Sequence, residues 1–531
     1  MIRRPRASLA AAATAAAAVA LAACGGVTGG GVGPVSSAAA PTNGVLKLGF
    51  NADPGQPPDP DVYYAGNGLA LTTNLYEGLV QYSDGSATTI VPDLATSWSV
   101  NKASTVFTFH LRHGVTFHDG TPFTSAAVQA DFGRRLAVNG GPAYMAMGVK
   151  SFATPDTYTS VITLDKPNSA FLDELASPYG VRMISPTGLA KYAGKDHAQT
   201  YLTTHDLGTG PYTLTEAKVD SRYVLKAFPG YWGHKPTFTA VDFTVYTDTS
   251  AMQLALNNGA LDAVISALPS SALGGYEKQT KLKVYRLPTM QVGVLYMNSH
   301  KPFLATTAAR KAMFESVDWK SVIKEVIPNT DTLATSAYSS GALPAGAAPA
   351  GISYDPSLLS AYAAKLPKGT TVTLGYQVGD DDDAHIDNLI AAQLDALGLK
   401  ATVTGYQTSV IFGTWFGHPQ AAPDIMVASS TWPDADSPYL YGHVFWDPTG
   451  GLNFMDCSSP AATSDLAAGL QTGSQGDYVA AARAIQAAEC TPIFADASDF
   501  VIAQPWLAGI AAAHSGGEPY TLAFDKLTIA S

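Results

Sequence analysis

Two carboxylates and a tryptophan lie close together in the segment SSTWPDAD, residues 429–436. Trp432, Asp434 and Asp436 are residue types suited to ligand binding, because a small-molecule site needs aromatic walls and a few charged groups. The segment follows directly on a predicted strand, residues 424–428, which would position it. The alternative is that both aspartates only cap the loop through hydrogen bonds to its backbone. The sequence leaves both interpretations open.

No motif for catalysis accompanies this segment. The sequence has no H-E-x-x-H, no G-x-S-x-G and no P-loop lysine motif. The acidic run Asp380–Asp383 lacks the interleaved ligand spacing of a calcium loop. We expect this run to be a solvated loop whose carboxylates lie near a helix N-terminus. We therefore predict a binding protein that is not an enzyme and that has no metal site and no cofactor.

Alternating patterns indicate an α/β architecture around the segment. Residues 370–377 and 399–406 read as strands, and apolar residues recur at helical spacing between them, from Ile386 to Leu397. A strand–helix–strand unit followed by a third strand is typical of an α/β lobe. At 531 residues the chain exceeds one ordinary core, because a domain takes roughly 100–200 residues.

The N-terminus carries an export signal. Arginines at positions 3, 4 and 6 precede an apolar stretch, residues 9–20, that is too short to span a bilayer. Residues 1–23 are thus predicted to be a signal peptide. The run LAAC at its end resembles a lipobox, which implies acylation of Cys24 and anchoring on the outer face of the cell membrane. The alternative is a cleaved signal with an incidental cysteine. Residues 24–43 are rich in Gly and Ala and are predicted to be a flexible tether.

The composition also restricts the partners. The formal net charge is −12, from 31 basic and 43 acidic side chains. An acidic chain without a basic stripe is a poor candidate for binding nucleic acid, so we predict none. Such a charge favours solubility.

A long motif identifies the family. Residues 107–132 predict a strand, a turn, a second strand at 115–117, a second turn and a helix capped by Thr124 or Ser125. This run resembles the signature F-x-L-R-x-G-V-x-F-H-D-G-x-P-x-T of the extracytoplasmic solute-binding proteins of ABC importers, the peptide/nickel-binding family 5. Further family motifs match at residues 74–79 (N-x-Y-E-G-L), 92–98 (P-x-L-A-x-x-W) and 208–212 (G-T-G-P-Y).

The resemblance implies a two-lobed periplasmic-binding-protein fold of the α/β class. The first lobe would comprise residues 44–85, 205–290 and 511–531, with an extra subdomain at 86–204, and the second lobe residues 291–510. The chain would cross between lobes near 290–298 and again near 510. The protein would be a monomeric, lipid-anchored receptor that captures a peptide or peptide-like solute and delivers it to an ABC permease. A non-peptide solute (a metal chelate, haem or a glycan) and a lipoprotein receptor without a transport role remain alternatives.

The resemblance also suggests site residues. Peptide binders of the family hold the ligand's α-amino group with an aspartate, and the matching position here is Thr431. A neutral threonine does not easily replace that carboxylate, so Asp434 or Asp436 would substitute, or the ligand would lack a free N-terminus. Cys457 and Cys490 would form a disulfide in an oxidising compartment, with two buried thiols as the alternative. Candidate cleft walls are Tyr63, Tyr64 and Asn67 from the first lobe, and Trp415, Phe416, Trp432 and Tyr439 from the second.

Overall fold

The computed structural model describes residues 33–51, 55–66, 68–83, 88–265, 268–339, 342–343, 349–435, 437–515 and 519–530. Its strands are β1 Val45–Asn51, β2 Val80–Tyr82, β3 Ile90–Pro92, β4 Ala95–Val100, β5 Val106–Leu111, β6 Val149–Asp156, β7 Thr159–Leu164, β8 Tyr212–Lys218, β9 Arg222–Ala227, β10 Ala240–Tyr246, β11 Ala263–Val264, β12 Lys283–Met297, β13 Asp331–Leu333, β14 Thr371–Gln377, β15 Lys400–Tyr406, β16 Ile425–Thr431, β17 Ile493–Ala503, β18 Leu507–Ala508 and β19 Thr528–Ile529.

The helices of the same described ranges are α1 Leu69–Leu75, α2 Ser125–Val138, α3 Phe171–Ala176, α4 Pro186–Tyr192, α5 Gln199–Leu202, α6 Thr249–Asn257, α7 Ser270–Glu277, α8 Thr307–Glu315, α9 Trp319–Val326, α10 Pro356–Ala363, α11 Asp381–Ala396, α12 Thr408–Thr414, α13 Pro438–Trp446, α14 Pro460–Thr472, α15 Gln475–Ala488 and α16 Ile510–Ala513. Short 3-10 helices occur at Gly141–Ala146, Pro302–Leu304, Pro419–Ala421 and Phe524–Lys526. No helix in this part of the chain is both long and apolar enough to cross a membrane. Residues 1–23 and Cys24, predicted to be the signal peptide and the acylation site, lie outside the described residues.

One mixed sheet connects two α/β halves, in the strand order β15-β14-β16-β12-β17-β11-β1-β10-β9-β8, with β13 beside β17. We call the half that contains β1 and β8–β11 the first lobe, and the half that contains β13–β16 the second lobe. The antiparallel strands β12 and β17 belong to both. Their register shifts between Pro288 and Val292 and again between Gly293 and Val294, and these irregularities mark where the sheet passes from one lobe to the other.

The register of β12 against β17 shifts between residues 288 and 294, and β17 lies beside first-lobe strands by residue 503. Residues 498–503 of β17 pair with residues 283–288 of β12, and the end of β17 also pairs with β11 of the first lobe. The chain has therefore returned to the first lobe before residue 510. β17 is a continuous strand, and strand continuity gives no sequence signal for the point of crossing.

Burial along β12 shows why this strand can serve both lobes. Residues 283–289 are exposed or half-buried except for Leu287, and Met290–Met297 are all buried. Partial exposure is typical of a strand with a solvated face, and a continuous buried run is typical of a strand covered on both faces. In the second lobe β12 pairs with β16 as well as with β17, so it lies in the interior of the sheet.

The extra subdomain forms around the family signature. Strands β4-β5-β7-β6 make an antiparallel sheet whose buried face packs on α2. One local prediction was wrong, and a second was right only for the position of the cap. The segment 115–117 makes only a single bridge, Thr116 to Pro122, across the turn. Thr124 is the N-cap of α2, but its side chain makes no capping hydrogen bond; Ser125 instead donates to the carbonyl of Asp156 at 2.9 Å, which fastens the helix to β6.

The second lobe contains a disulfide. Cys457 and Cys490 are bonded, with their Cα atoms 5.9 Å apart. Both residues are buried in a core with residues of α13–α15. The bond connects the segment before α14 to the segment before β17.

Candidate ligand-binding cleft

A cavity of about 90 Å³ lies between the two lobes where β12 and β17 cross. The first lobe contributes Leu268 and residues of β17, and the second lobe contributes β13, the end of β16 and the N-terminus of α11. Gln291 on the crossing strand β12 and Tyr520 near the C-terminus complete the wall. A site built from both lobes changes shape when the lobes move, so this is the expected position of a ligand in a hinged protein.

The cavity wall is strongly acidic. Five aspartates line it, Asp331, Asp380, Asp381, Asp382 and Asp499, which we call the cavity carboxylates. Among the described residues that line the cavity there is no lysine, arginine or histidine. The uncompensated negative charge gives the cavity a potential that attracts cations.

Local folding explains how the acidic run enters the cavity. Asp380 caps α11 and accepts a hydrogen bond from the N–H of Asp383 at 3.0 Å. Asp382 accepts from the N–H of Ser270 in the first lobe at 2.9 Å, and Asp383 accepts from the N–H of Ser429 on β16 at 2.8 Å. The prediction that these carboxylates lie near a helix N-terminus is confirmed. The prediction of a solvated segment was wrong for Asp383, which is buried, because backbone N–H groups from two other segments draw Asp382 and Asp383 inward.

Burial raises the pKa values of four cavity carboxylates, Asp331, Asp380, Asp382 and Asp499. The pKa of Asp499 rises to about 7 because the carboxyl group is desolvated, although it accepts hydrogen bonds from the N–H groups of Tyr520 and Phe500. Desolvation likewise raises the pKa of Asp382 to about 6. For Asp331, burial raises the pKa well above its ordinary value, and the nearby carboxylates of Asp382 and Asp380 raise it further. The group thus disfavours negative charge until a cation compensates it.

Asp331 is the least satisfied of these residues. It is 8% exposed, and its Oδ2 atom has no hydrogen-bond partner in the part of the chain that the structure describes. A buried polar atom without a partner costs about 1–3 kcal/mol, and more when it is charged. Such an atom on a cavity wall is available to a ligand.

Trp432 contacts the first lobe and packs against Tyr520, a residue of the cavity wall. Its indole Nε1 donates to the hydroxyl of Tyr179 at 3.3 Å, and its ring meets that of Tyr520 edge-on at 5.8 Å. A Cβ atom added to Gly66 would come within 2.3 Å of the indole. The glycine is therefore required for the tryptophan to approach the opposite lobe this closely.

Asp434 is occupied by protein side chains. It is 5% exposed, and its Oδ2 accepts from the hydroxyl of Tyr64 at 2.5 Å and from the hydroxyl of Tyr144. Its carbonyl accepts from the Ser177 hydroxyl. Burial raises the pKa of Asp434 to about 6. In this arrangement the Oδ2 atom of the carboxylate connects the lobes. Asp436 and Asn67 lie outside the described residues.

The other predicted residues are placed around the cleft or away from it. Thr431 is half-buried, and its hydroxyl donates to the carbonyl of Val292 at 3.0 Å. Tyr63 is buried, and its hydroxyl accepts from the N–H of Gly68. Tyr439 stacks on His443. Trp415 is fully buried in the core of the second lobe and Phe416 packs against that core, which does not support either as a cleft wall.

Sequence reasoning missed the residues that give the cavity its charge. The run at 380–383 was visible, but its burial depends on Ser270 and Ser429, which are distant in sequence. Asp331 and Asp499 each stand alone in a short stretch with no motif. Only the pairing of β13 with β17 brings their strands together.

Comparisons with known proteins agree with this architecture. Residues 89–453 match the family described as bacterial extracellular solute-binding proteins, family 5 Middle. The probable D,D-dipeptide-binding periplasmic protein DdpA of Escherichia coli K12 is 33% identical over 297 residues, which are 55% of this chain and 57% of that protein. The nickel-binding periplasmic protein of the same organism is 25% identical over 372 residues, 66% of this chain and 69% of its own. The chain therefore spans somewhat more than half of the length of the first of these relatives.

A solved structure extends the likeness to almost the whole chain. The ABC transporter-associated periplasmic binding protein DppA from Helicobacter pylori, in complex with peptide STSA, superposes with a TM-score of 0.80 at 20% identity, covering 92% of this chain and 98% of that one. At this identity the likeness establishes the fold. With the family match over most of the described chain and the two-lobed sheet, the conclusion is that this protein belongs to the bacterial extracellular solute-binding proteins, family 5.

Proposed function

We propose that this protein is a lipid-anchored receptor that captures a small solute, a peptide or a peptide-like molecule, between its lobes and delivers it to an ABC permease. The observation that carries the proposal is the cavity at the crossing of β12 and β17, whose wall comes from both lobes. The matching relatives include proteins named as dipeptide-binding and glutathione-binding, which supports a peptide-like solute.

Capture would proceed by hinge closure. In the present arrangement the lobes contact each other through the Tyr64–Asp434 hydrogen bond, the Trp432–Tyr179 hydrogen bond and the bond from Ser270 to the Asp382 carboxylate. A solute that touches both walls binds the closed state better than the open one, and it shifts the population by that difference in affinity. β12 and β17, with their register shifts, are the segments about which the lobes would turn.

A non-peptide solute is the second candidate, and the presence of threonine at position 431 supports it. The position that holds the α-amino group in peptide binders is occupied here by a hydroxyl group that donates to the Val292 carbonyl. Thr431 offers no carboxylate to a peptide N-terminus, and one oxygen of the Asp434 carboxylate already accepts from two tyrosines. A solute without that group would not need one.

Native mass spectrometry tests the proposal. Residues 25–531 would be purified without added ligand and sprayed under non-denaturing conditions. A ladder of bound peptide masses supports the peptide solute and gives its length range. A single non-peptide mass supports the second candidate. Protein that carries nothing and binds neither a peptide library nor a metabolite library contradicts the proposed capture.

Two further measurements test the anchor and the transport role. The substitution Cys24→Ser should move the protein from the membrane fraction to the soluble fraction of its host, since acyl chains hold it there. Deletion of the gene should abolish uptake of the solute found by mass spectrometry. Uptake that survives deletion would instead indicate a receptor without a transport role.

Trp432 provides an optical signal for solute binding. Because its indole lies at the interface of the lobes beside Tyr520, its fluorescence should change when a solute binds. The variant Trp432→Phe should lose that change. A variant that keeps the full signal would place Trp432 outside the pocket.

A further inference from the structure

We propose that the cavity carboxylates form a subsite for a positively charged nitrogen group of the solute, an alkylammonium or a guanidinium. This inference rests on the proposed function, because it names the chemistry of the solute that the same cleft would accept. The charge balance of the wall is the first observation, with five aspartates and no basic side chain among its described residues. A neutral or anionic group would leave this charge uncompensated.

The second observation is the unpaired carboxylate oxygen of Asp331. The residue lines the cavity and is more than nine-tenths buried. Among the described residues its Oδ2 has no hydrogen-bond partner, although the side chain of Thr330 lies near the carboxyl group and lowers its pKa against the effect of burial. Proteins seldom leave a buried carboxylate oxygen unpaired without a ligand or a solvent molecule to complete it. A group that supplies N–H donors to this atom would complete the hydrogen bonding of the wall.

The arrangement fits an organic cation better than a metal ion. Within the described part of the chain, no three side chains of His, Cys, Asp or Glu converge closely enough to hold a metal. The carboxylates are instead spread over β13, the start of α11 and β17. An ammonium or a guanidinium has several N–H donors that point in different directions, so one such group can reach carboxylates on different walls.

The size and the apolar part of the wall agree with this chemistry. A cavity of about 90 Å³ has room for about three water molecules, at about 30 Å³ each, which is the scale of a charged headgroup with one or two methylenes. Leu268, Ile327 and Phe500 line the remaining surface and can hold the alkyl part. The ring of Tyr520, also on the wall, can receive a cation on its face.

The subsite would also promote closure. Asp499 belongs to a first-lobe segment of β17, whereas Asp331, Asp380 and Asp382 belong to the second lobe. When the lobes approach, like charges approach with them, and a cation between them removes the repulsion. A solute with the right charge would therefore stabilise the closed state, and a neutral isostere would not.

Matched probes test the subsite by isothermal titration calorimetry at pH 8. The probes are the N-acetylated tripeptides acetyl-Ala-Lys-Ala and acetyl-Ala-norleucine-Ala, which have no α-amino group and differ in one side-chain amino group, and cadaverine as a non-peptide amine. We expect at least one amine probe to bind ten times or more tightly than the norleucine peptide. Binding of the lysine peptide alone indicates a basic peptide as the source of the cation, and binding of cadaverine indicates a free amine.

The variant Asp331→Asn should remove most of the preference for the amine, by tenfold or more. Asp382→Asn provides a second test if the first variant does not fold, and Asp165→Asn, which changes an exposed carboxylate in the extra subdomain, should bind as the unaltered protein does. Equal binding of both tripeptides would overturn the subsite and leave solute capture intact. Failure of both amine probes to bind would also overturn it, and the native mass spectra would then decide the proposed function separately.

Discussion

The substitution Asp499→Asn should make the protein more stable at high pH and not at low pH. Burial raises the pKa of Asp499 from 3.8 to about 7, and the residue is 6% exposed. One pKa unit corresponds to about 1.4 kcal/mol. Folding the ionised group at pH 8 therefore costs about 4 kcal/mol relative to the unfolded chain. The folded pKa lies above the unfolded one, so this cost is small at pH 4 and grows as the pH rises to about 7.

Asparagine removes the ionisation but also one acceptor. The two carboxylate oxygens accept from the N–H of Phe500 at 2.8 Å and from the N–H of Tyr520 at 3.1 Å. An amide group can satisfy only one of these donors, and the loss of the other costs about 1 kcal/mol at every pH. We expect Asp499→Asn to be about 3 kcal/mol more stable than the unaltered protein at pH 8, and equal to it or slightly less stable at pH 4.

Urea unfolding at pH 4, 6 and 8, followed by tryptophan fluorescence without ligand, measures this difference. The variant Asp165→Asn is the control, because its carboxylate is exposed and its effect should stay within about 0.5 kcal/mol, as for most surface substitutions. A stability difference for Asp499→Asn that is the same at all three pH values would refute the reasoning. So would a variant less stable than the unaltered protein at pH 8.

Three other predictions concern closure, pH and the disulfide. Gly66→Ala should weaken solute binding at least tenfold in calorimetry, because the added Cβ would come within 2.3 Å of the Trp432 indole and hold the lobes apart. The affinity for a cationic probe should rise between pH 5 and pH 8, because two cavity carboxylates with pKa values of about 6 and about 7 must ionise to pair with it. Replacing Cys457 and Cys490 by serine should lower the free energy of unfolding by about 3–4 kcal/mol, as expected from their separation of 33 residues.

Each of these predictions has an outcome that contradicts it. Gly133→Ala, in a helix where an added Cβ meets nothing within 4 Å, should leave binding unchanged, and an equal loss there would remove the steric explanation for Gly66. An affinity that falls with rising pH would contradict the pairing of the cation with ionised carboxylates. Urea midpoints unchanged by the serine double variant would show that the bond contributes no stability.

The fold could be predicted from the sequence because its signals are local. The periodicity at 370–406 predicted the strand–helix–strand unit of β14, α11 and β15, and the structure confirms it. The family signature at 107–132 likewise identified the two-lobed fold. The capping of α2 was not predictable, because Thr124 and Ser125 are both good capping residues. The structure instead uses Ser125 to contact β6, a contact made by a distant segment.

The residues of the site were less predictable than the fold, because the role of each side chain depends on whether the tertiary structure buries it. Trp415 and Trp432 each lie directly after an element, α12 and β16. Trp415 nevertheless packs on Tyr406 and Phe454 in the core, whereas Trp432 faces the other lobe. Their local sequences do not separate these environments. Asp434 likewise has the residue type of an anchor, and only the positions of two tyrosines from the first lobe show that its carboxylate is engaged.

The contact of Asp434 with Tyr64 and Tyr144 affects the overall affinity of the protein for solutes but not its selectivity among them. These groups belong to the protein, so their hydrogen bonds favour closure equally for every solute. Exchange of either tyrosine for phenylalanine should weaken binding of all solutes by one common factor in a titration series, whereas changes in the cavity should reorder them. Substitutions at this contact would therefore change the affinity for all solutes together and leave the order of preference among solutes unchanged.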